Sequence, residues 1–175
     1  MKNLTKAVVF AAALSLTSTS AFAQATGEAE TSDTASTTAI IVAPLEINVE
    51  RNLHFGEIIQ PKTAGTATVG TDDATAATGG VVWYSEALVS AAEFSVEGLP
   101  GETVYITLPG STYDVTGPGD PMEVSDFVSD PVGTIVLDGT EGTGTILVGA
   151  TLAVDAAQEP GEYSNADDLV VTVSY

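Results

Sequence analysis

The sequence predicts an all-β protein, an immunoglobulin-like antiparallel β-sandwich of about eight or nine strands. Three observations lead there. Apolar residues recur with period two through most of the chain, as in Leu45, Ile47 and Val49 of "LEINV" and Val104, Ile106 and Leu108 of "TVYITLP". Thr- and Val-rich runs are punctuated by Gly, Pro, Asp or Ser clusters roughly every 8–12 residues. Helical periodicity is almost absent, and "SEALVSAAEF" is the only stretch of helical composition.

The first element is a leader. "MKNLTK" carries Lys2 and Lys6, "AVVFAAALSL" is a short apolar run, and "AFA" precedes Gln24 with the small-x-small pattern of a cleavage site. Residues 1–23 therefore read as a secretory signal peptide cut between Ala23 and Gln24, too short to remain as a membrane span. The remaining 152 residues of 175 make one domain. They are expected to be exported to the periplasm, the outer surface or the medium. Residues 24–38, "QATGEAETSDTASTT", hold no large apolar side chain and read as a flexible polar tail, because nothing there offsets the entropy of ordering.

From Ala39 the domain runs to Tyr175. Strands are predicted near 39–50, 53–60, 65–70, 79–84, 92–98, 102–109, 121–128, 133–138, 143–155 and 167–175, with one or two of these merging. The first contains Leu45 to Val49. The second places Leu53 and Phe55 on one face and His54 on the other. "TGTILVGATLAV" continues the alternation near the end. Two Pro-Gly turns stand out. "LPGET" at Leu99–Thr103 and "EPGEY" at Glu159–Tyr163 each place Pro before a Gly that accepts the positive φ of a type II turn. Tyr163, just past Pro160 and Gly161 at a strand entry, suits a tyrosine corner, its ring in the core and its hydroxyl bonded to upstream backbone. In the last strand Leu169, Val171, Val173 and Tyr175 share one face. Either this strand closes the sheet, with Tyr175 at the rim, or it is also a handle for another chain through β-augmentation.

Charge excludes several functions. The chain has 24 acidic residues against four Lys and Arg, a net of −20, which becomes −22 once Lys2 and Lys6 leave with the leader. Phosphate binding needs cations, so nucleic acid is excluded as a partner, and an anionic membrane would repel the chain. The acidity suits a solvated surface in a saline medium. With no cysteine there is no thiol chemistry and no disulfide framework.

No catalytic group emerges. His54 is the only histidine and lies between two core-facing residues, so a Ser-His-Asp triad is not expected. Zinc lacks ligands. Calcium has weak candidates in Asp120, Glu123, Asp126 and Asp130, with Asp72 and Asp73 elsewhere, but the spacing is not that of an EF-hand. Trp83 and Tyr84 are adjacent and so face opposite sides of a strand, which does not make a sugar-stacking platform.

"APLEINVERNLHFGEI", "GTATVG", "EFSVEG", "YITLPGS", "ILVGATLAVDAAQEPGEYS" and "VTVSY", in that order, resemble the domain-of-unknown-function family 4402 of exported bacterial proteins. The resemblance runs from about Thr38 to Tyr175. It implies an immunoglobulin-like sandwich, distantly akin to spore coat protein U and pilin-like groups, and brings no catalytic residues or cofactor. His54 stands where a small polar residue is expected, "SNADD" lengthens the link into the last strand, and the disulfide of the pilin-like groups is missing. "AIIV" at Ala39–Val42 is the one tail segment with the character of a donor strand. The expectation is a non-enzymatic structural or adhesive protein, fimbria-like, that pairs strands with itself or with an assembly chaperone. The alternative is a monomeric secreted module binding Ca²⁺ or a glycan.

Overall fold

The structure is a computed structural model that describes residues 32–165 and 169–175. The leader, with the cleavage site at Ala23 and Gln24, lies outside the described residues, as do 166–168 within "SNADD". Residues 32–45 precede the first strand and have no regular structure. Among the described residues no helix is long and apolar enough to cross a membrane.

Among the described residues twelve strands, β1 to β12, follow in antiparallel pairs. β1 is Glu46–Arg51, β2 Glu57–Ile58, β3 Gly65–Val69, β4 Thr75–Ala77, β5 Trp83–Ser85 and β6 Ala92–Glu97. β7 is Thr103–Thr107, β8 Tyr113–Val115, β9 Met122–Asp130, β10 Thr134–Val136, β11 Thr143–Val154 and β12 Thr172–Ser174. The count exceeds the eight or nine expected because turn chemistry breaks long runs. The predicted strand 53–60 keeps only two residues in β2, since Gly56 turns the backbone to φ +74°. β4 and β8, unpredicted, are strands of three residues each.

β11 organises the fold. One edge pairs with β6 through Thr143–Val148 and then with β3 through Ala150–Val154, while the other edge pairs with β9. Gly149 sits at the handover, where an added Cβ would collide with Val69 O and Gly70. The resulting large sheet runs β1-β6-β11-β3-β4, with β9 and β8 continuing from the other side of β11. A small sheet, β10-β7-β12, faces its first half. Period two decides what is buried. Phe94 and Val96 of β6, Val104 and Ile106 of β7, Ile146 and Val148 of β11, together with Leu137 just after β10 and Val171 just before β12, form one core between the sheets. Ala67, Val124, Ala150, Leu152 and Val154 form a second, covered by Val81, Trp83 and Tyr163. Leu53 packs against both.

The turns show which local rules held. Leu99–Glu102 closes with Glu102 N donating to Leu99 O at 3.2 Å, and Gly101 takes φ +76°, as a type II turn requires. The Pro160-Gly161 bend departs from that expectation. Gly161 sits at φ +156°, and Pro118 presses so close that no Cβ would fit. Tertiary contact has set this backbone, not turn propensity. At the turn before β11, Asp138 Oδ1 accepts from Thr140 N (2.8 Å) and Glu141 N (2.9 Å). The Glu141 and Thr140 N–H groups hold its carboxyl below the usual carboxylate range.

Two outcomes are expected. Gly149→Ala must push β3 away from β11, which should lower stability by about 1–3 kcal/mol, read as a lower urea midpoint at unchanged slope. Because the Asp138 carboxyl is held down in the folded state, its contribution is present above the ordinary value near about 4 and lost as pH falls through the depressed one. The midpoint gap between wild type and Asp138→Ala should therefore narrow from neutral pH to strongly acid pH.

Candidate functional site

The feature of this fold with the clearest capacity for interaction is an open seam between β1 and β12. Both are edge strands, β1 of the large sheet and β12 of the small one. They lie on the same side of the first core. At one end of the seam Tyr175 Oη accepts from Leu99 N (2.8 Å) and lies 3.5 Å from Ala43 O, to which it donates. Gly98 closes this corner, for an added Cβ there would stand 2.6 Å from Tyr175 Oη and 3.0 Å from Leu45 Cδ1.

The hydrogen-bond phase of each edge follows from its neighbours. In β7, Ile106 N donates to Gly133 O on the β10 side (2.8 Å). Ile106 therefore turns its polar groups away from β12. Val173, directly opposite Ile106, forms a non-bonded pair with it and points its own N–H and C=O outward. The same reasoning applies to β1. Gly98 N donates to Gly142 O (2.8 Å), so Glu97 faces β1 and bonds Glu46, while Ile47, opposite Val96, directs its backbone outward. Among the described residues neither outward pair finds a backbone partner. The side chains of Ile47, Leu45, Leu169 and Val173 pack inward on the core and are only half-buried. Each edge thus combines free hydrogen-bonding groups with incompletely covered apolar surface.

Near the far end of β1 lies a cleft of about 1130 Å³, bordered by the exposed Val49, by Leu53, Phe94 and Leu169 from the first core and by Phe55 and Leu152 from the second. Arg51 on its border is held by an ion pair and by backbone. Arg51 makes a bidentate contact to Asp73 (both bonds 3.2 Å) and donates from Nε to Ala91 O (3.1 Å), while Asp73 also accepts from Ala91 N (2.6 Å). Asp73 can reach both partners because it occupies φ +62°. This brace ties the β3–β4 turn to β1 and β6. Its charges are partly exposed, so its value is positional rather than energetic.

The residues singled out from the sequence fall as follows. Tyr163 packs its ring on the second core, accepts from Gly119 N (2.9 Å) and donates to Glu159 O (2.9 Å), upstream of itself. Asp120, Glu123, Asp126 and Asp130 are all exposed and spread along and before β9. Glu123 and Asp130, seven residues apart on a strand, are separated by roughly 23 Å at 3.3 Å per residue. Among the described residues no group of three or more His, Asp or Glu side chains is placed to hold a metal ion. Asp72 caps its own turn through Ala74 N (3.2 Å). His54 is exposed, its Nδ1 accepting from Gly56 N (2.8 Å). Trp83 is half-buried and donates to Phe55 O (2.8 Å), whereas Tyr84 points into solvent. The seam itself was missed by sequence reasoning on its β1 side. Alternation marks which side chains face the core, but not which edge lacks a neighbour.

The model of a protein family described as a domain of unknown function (DUF4402) matches residues 45–175. No curated protein and no solved structure matches the chain.

Tyr163→Phe leaves the Gly119 N–H without its acceptor and removes the bond to Glu159 O. A loss of about 1 kcal/mol is expected in urea unfolding, with the fold retained by circular dichroism.

Proposed function

The chain belongs to the DUF4402 family, and we propose that this member is an exported, non-enzymatic structural subunit that takes a strand from another polypeptide into the β1/β12 seam. The observation that carries the reading is the β12 edge, free among the described residues, with Val173 offering N–H and C=O outward over a half-covered core. Strand addition satisfies both needs at once. Main-chain hydrogen bonds supply affinity, and alternate side chains of the incoming strand fill the apolar gap. The immunoglobulin pattern gives a second support. Its sheets read A-B-E-D and C-F-G. Here β1-β6-β11-β9 occupy the first set and β7-β12 the positions of C and F. Among the described residues no strand fills the position beyond β12.

Composition supports the rest of the reading. The leader-like residues 1–23 favour export, and the high negative charge favours a solvated extracellular surface.

The test is a gel of periplasmic and surface-sheared fractions, loaded boiled and unboiled and probed for this protein. A ladder of species that collapses on boiling is expected, and it should grow with ionic strength as the repulsion between acidic subunits is screened. A single monomer band in both lanes at every salt concentration would refute the subunit reading.

A further inference from the structure

We propose that the strand entering the seam is the segment Thr38–Ala43 of a second copy of this chain, paired along β12. This inference rests on the subunit reading above and adds the identity of the occupant.

Four observations select that segment. First, its apolar residues are not in use: Ile40 is 84% exposed, Ile41 97% and Val42 56%. Three consecutive large β-branched residues held in water just before a folded domain are costly unless something covers them. Second, the parity is right. Thr38, Ile40 and Val42 share one face of an extended strand, so Ile40 and Val42 can enter the gap beside Val173 and Leu169 while Ile41 stays outside.

Third, charge permits the meeting. Each chain carries a net −20, yet residues 34–45 hold no charged side chain, and neither does the acceptor stretch 169–175. A carboxylate carried into the core would cost far more than strand pairing returns. Fourth, the chain's own segment is badly placed to fill its own seam. Ala43 already lies at the Tyr175 end, and Leu45 is packed at the start of β1. To lie along its own β12 the segment would have to reverse direction and also cross about 10 Å from the sheet of β1 to that of β12 within Ala43 and Pro44, and two residues span only about 7 Å when fully extended. A longer loop would consume Val42 and Ile41, the residues needed in the gap. Donation to a neighbour has neither restriction.

The chain contains no cysteine, which makes disulfide trapping clean. Full-length chains bearing Ile41→Cys, and differently tagged chains bearing Thr172→Cys or Ser174→Cys on β12, are co-expressed and oxidised. A disulfide-linked pair carrying both tags is expected with at least one of the two β12 positions. In parallel, the Ile40→Asp/Val42→Asp chain should lose the boiling-sensitive ladder by roughly tenfold or more while keeping the circular dichroism of the unmodified protein. A link that forms only within single chains carrying both cysteines would overturn the proposal in favour of self-filling. A ladder that persists in the aspartate variant, with no mixed link, would mean that another polypeptide fills the seam: the occupant proposed here is then wrong and the subunit reading survives. If the unmodified chain gives neither ladder nor link, both fall together.

Discussion

The fold depends on one strand doing two jobs. β11 is twelve residues long, and its inward positions Ile146 and Val148 complete the first core while Ala150, Leu152 and Val154 complete the second. Burying a side chain of Val or Leu size stabilises by about 1.5–3 kcal/mol, so this single alternating run joins two clusters that are each small. Its partners must then change along its length. Gly149 makes the change possible, because the β3 backbone passes where any Cβ would stand. Remove that freedom and β6 and β3 can no longer share one edge.

Period two in the sequence was enough to find β11, β6 and β7 to within a residue or two, because alternation of large apolar residues is a local signal with a direct structural cause. The short strands escaped for equally physical reasons. β4 is "TAA" and carries no large side chain, while "YDV" in β8 sits among Gly, Pro and Asp that read as loop. Tyr113 of that strand nevertheless stacks on Phe127 at 5.4 Å between centroids, a contact between residues 14 apart in sequence. The Pro160-Gly161 bend went astray through Pro118, which is more than 40 residues away. Of the candidate site, the inward face of the last strand was legible and its free edge was not. Whether an edge has a neighbour is decided by topology, and no periodicity records it.

Edge strands are usually defended by charge, and the two edges of the seam differ in this respect. β1 carries Glu46, Glu50 and Arg51, the two glutamates exposed along it. β12 carries Thr, Val and Ser. It shares this with two other short border strands, β10 with Thr, Ile and Val and β4 with Thr and two Ala, but of the two edges that flank the seam only β12 is uncharged. Long-range repulsion between copies does not protect it at physiological salt, where charges are screened beyond about 8 Å. The general acidity keeps molecules apart non-specifically, and the uncharged edge of the seam is a place where close approach costs little.

The seam also cannot close by itself. Packed sheets stand about 10 Å apart, whereas paired strands lie about 4.8 Å from each other. β1 and β12 belong to opposite sheets, so their free N–H and C=O groups point along two separate planes and do not reach across. An added strand must therefore choose one sheet and send its alternate side chains between the two. Both edges turn backbone groups outward, at Val173 and at Ile47, so it is the absence of charge that makes β12 the receptive side, while Glu46 and Glu50 disfavour β1. The bridge from Tyr175 to Leu99 N then fixes one end of the opening, so that an incoming strand lies along β12 and not across it.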